Sequence, residues 1–200
     1  MEIKAIIFDM NGVFIKDSGP LSKRIEKDFN IDADEIYPLI KTALKQVRQP
    51  GIVSRPIWQP VLEKLNLTYE DFFKYWFGGE SLNEELLQYA KELRRQGIKI
   101  IILSNNFPER TNNYRLLYPE LFKVIDEQYF SWETGNVKPN PEAYSQILEK
   151  HNFLPSEYLY FDDSEENLSS AQKLGINVHL YQNLQDTKNF ISALSLVDSK

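Results

Sequence analysis

Ile3-Lys4-Ala5-Ile6-Ile7-Phe8-Asp9-Met10-Asn11-Gly12-Val13 decides the fold. A short, nearly unbroken apolar run, rich in Ile, ends abruptly on a carboxylate. Strands covered on both faces of a parallel sheet have this composition. The same pattern returns at residues 98–103 (IKIIIL), 158–161 (YLYF) and 178–181 (VHLY), and more weakly at 123–130. Helical patterns lie between these runs. Residues 83–96 put Leu86, Leu87, Ala90 and Leu93 on one face and stop at Gly97. Residues 141–151 open with Asn140 and Pro141, and residues 164–174 stop at Gly175. Strand alternating with helix predicts an α/β protein: a Rossmann-like parallel sheet flanked by helices.

One interval breaks the alternation. Asp9 and Ser104 are 95 residues apart, whereas a strand–helix–strand unit needs about 30. The excess carries helical patterns at 21–29, 34–47 and 69–77, with no evident strand. Between them, residues 56–65 contain Pro56 and Pro60, which predict a late start or a kink. The expected organisation is an α/β core from residues 1–14 and 82–200, with a small all-helical cap inserted at 15–81.

Composition narrows the function. The 200 residues are 42% hydrophobic and 26% charged, close to the usual globular mix. A formal charge of −6 argues against nucleic acid or an anionic membrane as partner. There is no cysteine, hence no disulfide, thiol nucleophile or Cys-ligated zinc. No segment approaches the ~20 apolar residues of a membrane helix, and the opening lacks the marks of a signal peptide. The expectation is a soluble cytoplasmic protein. Trp58, Trp76 and Trp132 are expected in packing, as are Phe14, Phe73, Trp76 and Phe77, and His151 and His179 are expected to be structural.

Ligands of open parallel sheets bind beyond the carboxyl ends of the strands. Asp9, Ser104 and the Asp162-Asp163 pair each end a strand run, and Lys138 lies in a loop opening the helix at Pro141. Each has an ordinary alternative. Asn11-Gly12 is a hairpin signal, Ser104-Asn105-Asn106 reads as a capped loop, Lys138 as a solvated lysine, and Asp162-Asp163-Ser164 as a helix N-terminus. What points to a site is that all of them fall in order at successive strand ends.

Phe8-Asp9-Met10-Asn11-Gly12-Val13 resembles the first motif, Asp-x-Asp-Gly-Thr/Val, of the haloacid dehalogenase-like (HAD) hydrolase superfamily. Leu103-Ser104-Asn105-Asn106 resembles its second motif, and Val137-Lys138-Pro139-Asn140-Pro141 its third. Phe161-Asp162-Asp163-Ser164, with Asn167, Ala171 and Leu174-Gly175-Ile176 downstream, resembles its fourth. The resemblance covers about residues 1–14 and 82–185. The helical insertion is similar to the family's type 1 cap. Gly51-Ile52-Val53-Ser54 and Trp76-Phe77 loosely resemble the small-cap sugar-phosphate phosphatase branch.

The resemblance implies a Mg²⁺-dependent hydrolase of small phosphate monoesters, sugar phosphates among them, acting through an aspartyl-phosphate. Asp9 is then the nucleophile. Mg²⁺ is held by Asp9, the main-chain carbonyl of Asn11 and Asp163, with Asp162 as helper. Lys138 pairs with Asp9 and the phosphoryl oxygens. Ser104, Asn105 and backbone N–H groups near residues 10–12 bind the phosphate. A small phosphorylated metabolite is the expected partner; neither nucleic acid nor membrane is, and the oligomeric state is open.

Position 11 departs from the pattern. The family's second Asp protonates the leaving alkoxide and then activates water; an Asn amide moves no proton at neutral pH. General acid–base catalysis is worth about 10²–10⁴-fold, so binding is expected intact and turnover damaged. Three accounts stay open: a natural weak enzyme or inactive binder of phosphorylated ligands, an engineered trap variant, or substitution by another group such as Asp17, Arg48 or Arg55. A haloacid dehalogenase, whose halide leaves unprotonated, is the remaining alternative, but it gives the Asp162-Asp163 pair no cation to hold.

Overall fold

The computed structural model describes residues 2–197. Residue 1 and residues 198–200, which the sequence assigns to the α/β core, lie outside the described residues. In chain order the elements are β1 (Ala5–Phe8), β2 (Ile15–Asp17), α1 (Leu21–Phe29), α2 (Ala33–Val47), α3 (Ser54–Leu65), α4 (Tyr69–Phe77), β3 (Glu80–Leu82), α5 (Glu84–Arg95), β4 (Lys99–Ser104) and α6 (Pro108–Leu117). There follow α7 (Pro119–Val124), β5 (Glu127–Phe130), α8 (Ser131–Thr134), α9 (Glu142–Leu148), β6 (Tyr158–Asp162), α10 (Glu165–Gln172), β7 (Asn177–Leu180) and α11 (Leu184–Val197).

Five parallel strands form one sheet in the order β5-β4-β1-β6-β7. The strand carrying Asp9 is therefore central, with Phe8 level with Ile102 on one side and Phe161 on the other. Strand periodicity divides its residues between two layers. Ile6, Phe8, Ile100, Ile102, Leu159 and Phe161 pack toward α5 and α7. Ala5, Ile7, Ile101, Leu103, Tyr158 and Tyr160 pack toward α9 and α10. Every residue of β1 is buried, which explains why its sequence shows no polar alternation. This is the α/β architecture the sequence predicts.

The segment from β2 to β3 forms a separate helical unit with its own core. Ile25, Ile36, Ile40, Val61, Phe72, Phe73 and Trp76 surround the buried Trp58. One residue from outside joins them: Phe107, just beyond β4, lies 5.5 Å from Trp58 and 5.3 Å from Trp76, centroid to centroid. Phe14 belongs instead to the sheet's core.

Four details differ from the sequence expectation. The helical segment is bounded by a two-stranded antiparallel ribbon, Ile15 opposite Leu82 and Asp17 opposite Glu80; strands of three residues are too short to show a period. The helix expected over 56–65 begins at Ser54, which puts Pro56 in the first turn, where its missing N–H has no intrahelical role. Residues 123–130 divide, with Lys123 and Val124 ending α7 and only Glu127–Phe130 forming a strand. Asn11-Gly12 makes no hairpin, because β2 pairs with β3 rather than β1; the turn closes through Gly12 N–H to the Ile15 carbonyl and Ile15 N–H to the Met10 carbonyl, both 2.8 Å.

Candidate active site

Sheet register carries three motif residues to one edge. Asp9 N–H continues the ladder to the Phe161 carbonyl at 2.9 Å, so Asp9 and Asp162 emerge side by side. Ser104 ends the neighbouring β4. Lys138 reaches them from its loop, with Nζ 3.0 Å from Asp9 Oδ1 and 2.7 Å from Asp162 Oδ2. All four side chains are buried. The Asn105 side chain grips the backbone of Lys138 itself: its Nδ2 donates to the Lys138 carbonyl and its Oδ1 accepts from Lys138 N–H, each at 2.8 Å. Asn105 therefore clamps the loop, with both amide atoms engaged.

The acids differ in surroundings. Asp162 is saturated with donors: Lys138 and Tyr160 OH on Oδ2, and Ser164 N–H (2.9 Å) and Asn167 Nδ2 (3.0 Å) on Oδ1. Asp163 is more open and rests against the Asn11-Gly12 turn. A Cβ on Gly12 would stand 2.1 Å from Asp163 Oδ2, and Gly12 has φ +83°. Conformation and close approach both require glycine there. Oxygens of Asp9, Asp162 and Asp163 lie within 4.8 Å of one another. Burial pushes the Asp9 carboxyl up to about 6, against the pull of Lys138 and with the Asp162 charge adding to the rise. Burial and Asp162 also raise Asp163. Three carboxylates facing a single ammonium form a site short of positive charge, with an all-oxygen donor set suited to a hard divalent cation. The residues present thus fit Mg²⁺.

Ser104 Oγ is buried without a hydrogen-bond partner, an acceptor or donor left for a ligand. Asn11 is engaged at both ends of its amide. The Asn106 Oδ1 accepts from Phe107 N–H (3.0 Å), which fixes that amide's orientation. Asn106 Nδ2 donates to Asn11 Oδ1 (3.0 Å), and Asn11 Nδ2 donates to Tyr114 OH (2.7 Å). Tyr114 OH donates in turn to Glu80 Oε2 (2.8 Å), and Glu80 pairs with Arg110. The chain of donors is directional from a backbone N–H to the ribbon strand β3. An ionised Asp at position 11 would compete with Glu80 for the one proton of Tyr114, whose phenol burial and Glu80 hold far above its ordinary value. The amide matches its setting; a carboxylate would not.

Of the groups expected to substitute for an acid, Arg55 faces outward onto Glu70 and the ring of Tyr69, and Asp17 caps the turn at Gly19 N–H (2.9 Å). Only Arg48 turns inward, with a buried Nε. His151 approaches Glu127 (2.9 Å) and His179 approaches Asp186 (2.6 Å), both away from these acids. Tyr160, Tyr114, Glu80 and Arg110 were not legible as site residues. A signal existed for Tyr160 alone: two positions before Asp162 in a strand, it shares that residue's face.

Residues 3–175 match the model of the haloacid dehalogenase-like hydrolases. The chain belongs to that family. As a HAD-like hydrolase it is 27% identical over 203 residues to the phosphorylated carbohydrates phosphatase of Thermotoga maritima, covering 96% of this chain and 91% of the relative. It is 27% identical over 135 residues to the bifunctional epoxide hydrolase 2 of Rattus norvegicus, a match over 66% of this chain. There it spans only 24% of the relative's length. Among solved structures, a HAD family enzyme of Bacteroides thetaiotaomicron in complex with magnesium and inorganic phosphate superposes with a TM-score of 0.77. That match covers 90% of this chain and 94% of the other at 22% identity, and the likeness is one of fold. Among the described residues no helix is long and apolar enough to cross a membrane.

Proposed function

We propose that this HAD-like hydrolase is a Mg²⁺-dependent phosphomonoesterase for small phosphorylated metabolites, sugar phosphates among them, slowed at the steps that need proton transfer. The observation that carries it is the cluster of Asp9, Asp162 and Asp163 within 4.8 Å, with Lys138 across two of them. The phosphatase relative and the magnesium–phosphate complex of the structural neighbour support the same chemistry.

Asp9 attacks phosphorus. The bond to the ester oxygen breaks, an aspartyl-phosphate forms, and water later restores Asp9 and releases phosphate. A carboxylate nucleophile needs ionisation rather than a base, and Lys138 favours its charged form. Asp9, Asp163 and the Asn11 carbonyl would hold the metal, which when bound offsets repulsion between carboxylate and phosphate. Asp162, itself fixed by Tyr160, Ser164 and Asn167, holds Lys138 in place. Ser104 Oγ and the N–H groups following Asp9 receive the non-bridging oxygens, so rate enhancement is chiefly positioning and electrostatics. The departing alkoxide meets an Asn11 amide with no proton to give. Residues 15–81 act as a cap over this edge.

Phosphate release from a panel of phosphorylated metabolites, with Mg²⁺ and with EDTA, tests the assignment. Metal-dependent release on at least one substrate is expected, and aryl phosphates should react far faster than alkyl phosphates, since their leaving groups need no proton. Equal rates on both classes would remove Asn11 from the limiting step. The directional chain through Asn11 favours a second reading: a binder of phosphorylated ligands with negligible turnover. Calorimetric binding of phosphate with Mg²⁺, without release from any ester, would select it.

A further inference from the structure

Two arginines at the junction of the helical unit and the sheet edge have hydrogen-bonding capacity that the protein does not use. Arg48 ends α2. The following Gln49-Pro50 packs against the Gly135 turn, where a Cβ would lie 3.6 Å from Pro50; that turn precedes Lys138. The Arg48 Nε is buried without a partner, and no carboxylate of the described residues lies within ion-pair distance of its guanidinium. Arg110, on α6, lies over the rings of Trp76 (5.4 Å) and Tyr114 (5.8 Å). One of its terminal nitrogens pairs with Glu80, while its Nε is also buried and unpartnered.

The charges that act on Arg48 come from both sides of this junction. Burial and then the neighbouring Arg110 hold it below its ordinary value, while Asp9 acts in the opposite direction. Arg48 thus lies within electrostatic reach of both the sheet edge and Arg110. Of these two guanidiniums Arg110 is paired with Glu80, and Asp9 is already paired with Lys138. A guanidinium nitrogen buried without a partner is costly, and an anion that meets a guanidinium forms short, charge-assisted and frequently bidentate hydrogen bonds. The transferred phosphoryl group already has Lys138, Ser104 and backbone N–H groups.

We propose that Arg48, assisted by Arg110, is a subsite for a second anionic group of the substrate, so that the preferred substrates are phosphate monoesters bearing a remote carboxylate or second phosphate. The inference rests on the phosphomonoesterase reading and narrows it to one charge class. Arg48 then sets specificity and takes no part in breaking the bond.

Calorimetry with Mg²⁺ and a matched pair of probes tests it: 3-phosphoglycerate and glycerol 3-phosphate, of similar length and differing in the carboxylate. The protein should bind 3-phosphoglycerate at least tenfold more tightly. Arg48→Gln should erase that difference by weakening 3-phosphoglycerate at least tenfold, and Arg48→Lys should restore part of it; unchanged circular dichroism would show that both variants fold. Equal affinity of the wild-type protein for the two probes, or an equal loss for both in Arg48→Gln, would overturn the subsite. Phosphate release from 4-nitrophenyl phosphate by the wild-type protein separates the failures. Release without discrimination between the probes removes the subsite alone. No release and no binding of either probe removes the phosphomonoesterase reading and the subsite with it.

Discussion

The sheet and the helical unit bury their apolar residues in different ways, and they hold their charged residues differently as a result. The sheet packs mainly Ile, Leu, Phe and Tyr from strands locked in register by main-chain hydrogen bonds. Its charged residues stand at strand ends, where Lys138 meets two carboxylates and Asp162 four donors. The helical unit packs Trp58, Phe72, Phe73 and Trp76 without any ladder, and the side chains facing the sheet edge include an unanswered guanidinium. Register places chemistry by backbone geometry, whereas helix packing places it by side-chain shape. On the proposed reading the first is a fixed device for phosphorus, and the second is where substrate choice is set.

The largest test of this division removes the fixed device. Asp9→Ala should lower phosphate release by about 10⁴-fold or more, to the assay background, because on the proposed reading it removes the nucleophile. Activity persisting within tenfold of the wild type would detach function from the sheet edge altogether.

Next in size is Phe107, which enters the core of the helical unit from the far side of β4. Phe107 is fully buried among the aromatic side chains of the helical unit although it lies just beyond β4. Phe107→Ala should cost about 3–5 kcal/mol, the usual range for emptying such a site. Chemical denaturation should show the loss, and an unchanged midpoint would mean that the two units are not coupled through this ring.

Smaller still is the gain expected from restoring a proton carrier. Asn11→Asp should raise hydrolysis of alkyl phosphates at least tenfold and that of aryl phosphates much less. The competition with Glu80 for the Tyr114 proton should show as a pH-dependent limb in the variant's rate profile. No gain on alkyl esters at any pH would mean that another acid serves.

The smallest effect concerns pH and stability. With its folded-state value raised to about 6 from 3.8, the Asp9 carboxyl binds its proton more tightly in the folded chain than in the unfolded one. Its contribution is fully present below pH 3.8 and is lost as pH rises through about 6. Asp9→Asn should therefore melt several degrees above the wild-type protein at pH 7.5 in EDTA, with the difference vanishing near pH 4. Mg²⁺ should narrow the gap at pH 7.5 by stabilising the wild-type protein. A variant melting below wild type at pH 7.5 would reverse the sign given to burial.

Much of the sheet and its edge was legible in the chain because strands declare themselves locally. Residues 3–8 and 98–103 are apolar on both faces, and the residue that ends each run must emerge at the sheet's edge. The helices of the insertion were legible for a similar reason: Leu21–Phe29 and Tyr69–Phe77 follow from periodicity alone. The ribbon of β2 and β3 was not, because three-residue strands have no period and owe their existence to a partner about 65 residues away. Neither were α6 and α11, for which the sequence reading offered no helix.

By itself the sequence determined that Asp9, Ser104, Lys138, Asp162 and Asp163 belong together, and that position 11 lacks a carboxylate. Those are consequences of order along the chain and of where strands end. Only the tertiary structure decided that Asn11 is matched to Tyr114 and Glu80, that Asn105 holds the Lys138 loop, and that Arg48 faces inward while Arg55 faces out. Each of those depends on which side chains meet across elements distant in sequence, and such meetings are fixed by packing, not by any local pattern.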